Sequence, residues 1–332
     1  MTKKQRVEAA LNHTAPDKVP YNIELTSEAM KSFSEYSGIT ADKYFDSIGN
    51  HVEKCGYNGG SYIKSGYFQD EFGVLWNRSG VDKDIGVVAE YLLKEDTLSD
   101  YTFPVPDLDE VTKKTKAMME NGRDTFKLGK IGMTFFERAW SLRGMENLMC
   151  DFHDNEAFTE GLFQSILEYN LQIVNRALNF PIDGFYFGDD YGMQTGLMFS
   201  PDCFRKYLKP CLAALFEPIK AKGKRVMLHS CGNIEKILPD LIEIGLDVYQ
   251  TVQPEIYDLK KLKREFGNDL SFWGGISTQR DLPNLSAKEI SVLTIDTIQI
   301  LGENGGYICG PTHQVPDDVP PENIAAMFDA LK

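Results

Sequence analysis

Short apolar runs and longer stretches of helical spacing alternate from about residue 126 to residue 310. Runs that are apolar throughout are typical of parallel strands covered on both faces. The stretches between them place apolar residues at the three- and four-residue intervals of amphipathic helices. The predicted strands are FKLGKIG (126–132), DGFYFGDD (183–190), KRVMLHSCG (224–232), LDVYQTV (246–252), LSFWGGI (270–276) and GGYICG (305–310); the predicted helices include 155–179, 233–244, 258–266 and 286–301.

These repeated strand–helix units predict an α/β protein, and in particular a (β/α)₈ TIM barrel rather than an open doubly wound sheet. Polar residues, glycine or cysteine stand where the strands end, in FGDD, HSCG, TVQP, WGGI and ICGP. In such barrels the carboxyl ends of the strands form the functional rim. The sequence contains no GxGxxG or Walker-type phosphate loop, so neither kind of nucleotide-binding loop is expected.

The region before residue 126 has a less regular pattern. Residues 1–12 are predicted to form a short helix, and APDKVPYNIEL (15–25) a turn that leads into a strand. YFQDEFGVLWNRSG (67–80) and IGVVAEYLL (85–93) have the pattern of hairpin strands. We therefore predict one domain over 1–332, with an insertion at about 50–105 that carries a small antiparallel element.

Composition narrows the class of protein. The chain has 332 residues, of which 42% are hydrophobic, and a formal net charge of −14. Such a charge disfavours nucleic-acid or anionic-membrane partners. No apolar run is long enough to span a bilayer, and the first residues do not resemble a secretory signal. With six thinly spread cysteines, which in the cytosol are usually reduced, we expect a cytoplasmic protein.

Two metal-binding residue types lie two positions apart at one strand end. Side chains alternate along a strand, so His229 and Cys231 in VMLHSCG project to the same side. Cys309, at the end of GGYICG, is expected three strands further round the barrel. Two thiolates and one imidazole with a fourth position open would suit a catalytic zinc ion. Taken singly, a histidine at such a position is more often an ordinary strand-end residue than a ligand, and a cysteine is more often a small buried core residue.

At these residues the sequence resembles the uroporphyrinogen decarboxylase superfamily, in particular its corrinoid-associated zinc methyltransferase branch. The resemblance is strongest in FERAWSLRGMENL (136–148), GDDYGMQTGLMFSPDCFRKYLKP (188–210), HSCGNI (229–234), FWGGISTQ (272–279) and GGYICGPTHQVPDDVPPENI (305–324). It implies zinc ligands in an H-x-C…C pattern, which falls on His229, Cys231 and Cys309. It also implies transfer of a methyl group between a small molecule and the cobalt of a corrinoid. The chain lacks the D-x-H-x-x-G corrinoid motif, so a partner protein is expected to supply the corrinoid.

The substrate stays open at this point. Methyl ethers, methylamines, alcohols and thiols are all compatible with the resemblance, and family members often form homodimers. The alternative is a metal-free decarboxylase that acts on a tetrapyrrole or smaller carboxylate through an aspartate. The expected porphyrinogen-gripping segment, DKVPYNIELTSEAM, contains no arginine, which favours methyl transfer. A non-catalytic metallochaperone or corrinoid-binding partner is a third possibility.

Further candidates lie near the predicted rim. Asp189 and Asp190 are candidate catalytic residues, although such a pair can equally cap a helix, and His313 is a candidate general acid or fourth ligand. The candidate substrate-binding residues are Tyr191, Gln194, Gln253 and Trp273. The aromatic residues among them would suit a flat aromatic ether.

Overall fold

The computed structural model describes residues 1–80 and 86–332. Its strands are β1 (Val52–Gly56), β2 (Gly60–Lys64), β3 (Tyr67–Asp70), β4 (Leu75–Asn77), β5 (Val87–Glu90), β6 (Phe126–Ile131), β7 (Gly184–Gly188), β8 (Gly192–Met193), β9 (Gly196–Leu197), β10 (Arg225–His229), β11 (Val248–Val252), β12 (Ser271–Ile276) and β13 (Tyr307–Pro311).

The helices lie mostly between these strands. They are α1 (Lys3–Leu11), α2 (Ser27–Ser37), α3 (Ala41–Ile48), α4 (Leu108–Glu120), α5 (Phe136–Arg143), α6 (Met145–Asp154), α7 (Glu156–Ala177), α8 (Pro201–Cys203), α9 (Lys209–Ala221), α10 (Leu238–Glu243), α11 (Leu259–Phe266), α12 (Asp281–Asn284), α13 (Ala287–Leu301) and α14 (Pro321–Ala330). A π-helical turn, Phe204–Leu208, joins α8 to α9, and a 3₁₀ turn, Glu235–Ile237, leads into α10. None of the helices in the described ranges is long and apolar enough to cross a membrane.

A parallel sheet in the order β1-β6-β7-β10-β11-β12-β13 curls into the wall of a barrel. The segment Tyr21–Leu25 closes it, because Tyr21 forms a parallel bridge with Cys309 of β13 on one side. On the other side the His51 N–H, next to β1, donates to the Tyr21 carbonyl at 3.1 Å. This segment and the seven strands of the sheet together make eight extended segments around the barrel, and the predicted (β/α)₈ barrel is confirmed.

The predicted small antiparallel element is present as a sheet in the order β2-β3-β4-β5. The first part of the predicted insertion is different, however, since β1 at 52–56 pairs in parallel with β6 and belongs to the barrel. The inserted sheet therefore begins at Gly60. Of the strand predicted at 85–93, Ile85 lies outside the described residues.

The barrel interior divides into an apolar lower layer and a polar upper layer. Because side chains alternate along a strand, positions two apart face the interior together. Near the amino ends of the strands these positions form a separate apolar cluster that includes Val52, Leu128, Met227 and Val248. Two positions further along, the same faces carry the polar or charged side chains of Lys54, Lys130, His229 and Gln250. The change occurs toward the carboxyl ends, where barrel enzymes place their chemistry.

Candidate active site

A cavity of about 310 Å³ opens at the carboxyl ends of the barrel strands. We call it the rim cavity. It is lined by Asn22, Glu24, Lys54, Lys130, Gly132, Met133, Glu137, Tyr186, Gly188, Asp190, His229, Gln250, Trp273, Pro311, His313 and Gln314. Its volume lies at the small end of the range of about 300–1,000 Å³ found for ligand sites. Such a cavity suits a small molecule.

Three metal-binding side chains converge at one side of this cavity. One donor atom from each of Asp190, His229 and Cys231 lies within 4.8 Å of the other two. The His229 Nε2 atom is 3.4 Å from Asp190 Oδ1 and 3.4 Å from Cys231 Sγ. Imidazole, thiolate and carboxylate are the donor types that zinc takes in proteins.

The orientation of His229 is set by Gln250 on the neighbouring strand. The register of β10 and β11 places the two residues side by side. Gln250 Oε1 contacts His229 Nδ1 and also accepts a hydrogen bond of 2.7 Å from the Tyr186 hydroxyl. An acceptor at Nδ1 selects the tautomer whose Nε2 lone pair is free, as metal-binding histidines require. Nε2 is the atom that faces Asp190 and Cys231.

The loop after β10 positions Cys231. The Cys231 N–H donates to Asp190 Oδ1 at 2.8 Å, and the Gly232 N–H donates to Gln253 Oε1 at 2.7 Å. Gly232 has a φ of +79°, and a Cβ added there would lie 2.2 Å from the backbone of Gly192 in the β8–β9 hairpin. Only glycine fits this crossing of two backbones, which explains the G in HSCG.

His313 approaches the same donors from the loop after β13. Its ring centroid is 5.9 Å from that of His229, with an angle of 67° between the ring planes. Burial and the nearby His229 lower the pKa of His313, so the neutral form that binds metals is favoured at this position.

The acidic groups around the donors differ in character. Burial, followed by the repulsion of Asp190 and Asp189, raises the pKa of Glu137 to about 8. Burial also acts on Asp190, but its hydrogen bond and charge interaction with His229 outweigh burial and hold the pKa of Asp190 below its ordinary value. Of Glu137 and Asp190, therefore, Asp190 is the one whose carboxyl group is ionised at neutral pH.

The structure does not bring Cys309 to these donors. Cys309 is fully buried and belongs to the core outside the barrel wall together with Tyr307, whereas Ile308 between them belongs to the barrel interior. Alternation along β13 therefore turns the Cys309 thiol away from the rim. Burial raises the pKa of this thiol to about 12. Cys309 therefore does not join the other two predicted ligands, because it lies on the outward face of β13; beyond this strand, His313 and Gln314 line the cavity.

The other predicted residues are divided between the cavity and the scaffold. Trp273 lines the cavity. The Asp189 carboxylate is fully buried and accepts hydrogen bonds of 2.8, 2.8 and 2.7 Å from the N–H groups of Phe135, Phe136 and Glu137, so it caps α5. Gln253, Tyr191 and Gln194 are not among the cavity-lining residues: Gln253 supports the Gly232 loop, Tyr191 is buried among aromatic side chains, and Gln194 is exposed in the β8–β9 turn.

Sequence reasoning missed the charged side of the cavity. Lys54 Nζ lies 2.8 Å from Glu24 Oε1, and it also lies 4.7 Å from the centroid of the Tyr186 ring and 5.2 Å from that of Trp273. Lys130 lines the cavity on the next strand. Burial and the charge of Lys54 lower the pKa of Lys130. The sequence did carry a signal for both lysines. In each of the two strands the lysine stands two positions after an apolar residue that faces the barrel interior, so the lysine faces the interior too.

Comparisons with known proteins agree with this architecture. The family model described as uroporphyrinogen decarboxylase (URO-D) matches residues 82–332. A methyltransferase from Methanosarcina mazei is similar over 100% of this chain and 98% of its own, with a TM-score of 0.77 and 20% identity. A B12-independent methionine synthase from Shewanella sp. W3-18-1, solved with selenomethionine, has a TM-score of 0.50 and 10% identity over 95% of this chain and 94% of its own.

The search of curated proteins gave no match. The two structural similarities establish a shared fold, and the family match covers most of the chain. The chain belongs to the uroporphyrinogen decarboxylase (URO-D) family.

Proposed function

We propose that this protein is a zinc-dependent methyltransferase that moves a methyl group between a small molecule and the cobalt of a corrinoid held by a partner protein. The observation that carries the proposal is the convergence of Asp190, His229 and Cys231 at the rim cavity, with His313 facing them. The structural similarity to the Methanosarcina mazei methyltransferase supports the same class of reaction.

The residues fit a zinc ion. Their donor atoms are one imidazole nitrogen, one sulfur and one carboxylate oxygen within 4.8 Å of one another, and a second imidazole is close by. We assign His229, Cys231 and Asp190 as ligands and His313 as the fourth ligand or the group that faces the substrate. Zinc at such a site acts as a Lewis acid that stabilises negative charge on an oxygen or sulfur atom.

The chain's own residues bind and orient the reactants. Gln250 holds the His229 ring in one tautomer, and Gln253 holds the loop that carries Cys231. Tyr186 and Trp273, whose ring centroids are 5.6 Å apart, form an aromatic wall of the cavity. A corrinoid on a partner protein would supply the cobalt that accepts or gives up the methyl group, and the oxygen, nitrogen or sulfur atom of the small molecule would keep or donate the electron pair of the bond that breaks or forms there.

The decarboxylase alternative requires recognition of many carboxylates when the substrate is a tetrapyrrole. No arginine is among the residues that line the rim cavity in the described structure, and its two lysines include one already paired with Glu24. Multiple carboxylates call for several arginine or lysine partners. The composition of the cavity therefore favours methyl transfer.

Two measurements on the purified protein test the proposal. The first is zinc content by elemental analysis, with one zinc ion per chain expected. The second is the change in the visible absorption spectrum when the protein is mixed with cob(I)alamin and methyl donors, or with methylcobalamin and thiols. A protein that is active as a decarboxylase after complete removal of metal would refute the proposal.

A further inference from the structure

Tyr257 holds the loop after β10 through its hydroxyl group. This hydroxyl donates to the Gly232 carbonyl at 2.9 Å and accepts the Ile234 N–H at 2.8 Å. The Tyr257 side chain belongs to the buried core outside the barrel wall and is only 5% exposed, so both hydrogen bonds are shielded from water. One side chain therefore fixes the backbone just beyond Cys231.

Tyr249 holds the same loop just before Cys231. Its hydroxyl lies 3.1 Å from the Ser230 carbonyl and 3.0 Å from the Tyr257 hydroxyl oxygen, and its single proton serves one of these two oxygen atoms at a time. Tyr249 is fully buried in the same outer core. The carbonyl groups on both sides of Cys231 thus each face a tyrosine hydroxyl.

The N–H groups of the loop are held from the other direction. Asp190 accepts the Cys231 N–H, and Gln253 accepts the Gly232 N–H. Since backbone groups in such a loop have no ladder of regular hydrogen bonds, these side chains take that place. The direction of the Cα–Cβ bond of Cys231, and with it the place of the thiol, follows from the orientation of these peptide groups.

We infer that Tyr249 and Tyr257 are positioning residues for the metal centre, which hold the Cys231 thiol in place from outside the barrel. This role rests on the proposed function for the presence of the metal. Neither tyrosine lines the rim cavity, so both act through the loop and touch neither metal nor substrate. Groups that orient a metal ligand in this way typically change metal affinity by about 10- to 100-fold.

Three conservative variants of the full chain separate positioning from general stability. Tyr249→Phe and Tyr257→Phe each remove one oxygen atom and keep the buried ring. Tyr207→Phe is the matched control, because the Tyr207 hydroxyl is also buried and donates to the Phe152 carbonyl at 3.0 Å, between two helical segments outside the barrel. Thermal unfolding shows that each variant is folded.

Hydrogen exchange of the metal-free chain, followed by mass spectrometry, tests whether the tyrosines fix the loop. In Tyr257→Phe we expect the exchange of residues 230–234 to become about 2- to 10-fold faster, the range for the loss of one hydrogen bond. Tyr207→Phe should keep the wild-type rate in this segment. Wild-type exchange of residues 230–234 in both Tyr249→Phe and Tyr257→Phe overturns the inference.

Titration with zinc and with cobalt(II) tests whether this support matters to the metal. Cobalt(II) binds the same nitrogen and sulfur donors as zinc, and a thiolate bound to it gives a charge-transfer absorption band that reports the bond to Cys231. We expect the Kd for zinc to rise by about 10-fold in Tyr257→Phe, with a weaker band for each bound cobalt, and wild-type values in Tyr207→Phe.

The two titrations also distinguish this role from the proposed function. Wild-type zinc affinity and an unchanged cobalt band in both Tyr249→Phe and Tyr257→Phe overturn the inference and leave the proposed function intact. A wild-type chain that binds neither metal refutes the proposed function instead, and hydrogen exchange then decides alone whether the two tyrosines hold the loop of Cys231.

Discussion

If Asp190, His229 and Cys231 bind the metal, substitution of Cys231 and substitution of Cys309 have different effects on zinc binding. In Cys231→Ala one donor of the group Asp190, His229 and Cys231 is lost. Structural zinc sites bind with roughly 10–16 kcal/mol, and four donors that share this equally contribute about 3 kcal/mol each. We therefore expect the Kd for zinc to rise by about 100-fold in Cys231→Ala, at about 1.4 kcal/mol for each factor of ten.

Cys309→Ala is the matched control, because it removes the same atom from the other side of the barrel wall. The Cys309 thiol packs in the outer core, so its loss leaves a small void and lowers the free energy of unfolding by about 1 kcal/mol. Its zinc affinity is expected to equal that of the wild type.

Zinc affinity is measured by competition with a chromophoric chelator, and thermal unfolding of each variant shows that it is folded. The reasoning is refuted if Cys309→Ala loses zinc while Cys231→Ala retains it. Loss of zinc in His313→Ala to the same degree as in Cys231→Ala would add His313 to the ligands, whereas unchanged zinc affinity would leave it facing the substrate.

Three further predictions concern buried polar groups. Asp189→Ala leaves three N–H groups at the start of α5 without an acceptor, and we expect urea denaturation to show a loss of about 3 kcal/mol or more. Arg138→Met removes the 2.5 Å ion pair with buried Asp70 and should cost about 3–5 kcal/mol. In a double-mutant cycle with Asp70→Asn the two substitutions should be coupled by at least about 1 kcal/mol, and additive effects would contradict the pairing. Burial, followed by the charges of Arg6 and Lys3, lowers the pKa of His51 to about 4. The unfolded chain, whose histidines titrate near 6.5, therefore binds the proton first as the pH falls. Stability should drop by about 3 kcal/mol between pH 6.5 and 4, and His51→Leu should lack this part of the drop in urea denaturation at pH 7 and 4.5.

The barrel was predictable from the sequence because its strands are apolar throughout and are separated by helices. Alternation also placed His229 and Cys231 together, since the spacing of two residues holds across the strand end. At Cys309 the alternation gives no such answer, because the sequence does not show which face of β13 is inward. The inward positions are Ile308 and, two further, Gly310, so the residue that reaches the cavity comes from the loop beyond.

The hydrophobic pattern did not predict the charged side of the cavity, because it did not identify the segments that carry Glu24 and Lys54 as strands of the barrel. Glu24 lies in a segment with only isolated bridges to its neighbours, and Lys54 lies in a barrel strand that was placed in the insertion. A lysine within an apolar run is ambiguous, because its long stem can reach either face of the sheet. Lys127 illustrates this, since its ammonium group leaves the barrel and donates to the Met118 carbonyl.

The way in which Tyr21–Leu25 closes the barrel has a consequence for biosynthesis. Tyr21–Leu25 is synthesised long before its partner β13, because most of the residues of the barrel lie between them in the chain. At roughly 5–20 residues per second, the segment waits on the order of 15–60 s with an open backbone edge. Until β13 has been made, the backbone edge of Tyr21–Leu25 that faces it in the barrel lacks this partner and is open to pairing with another chain.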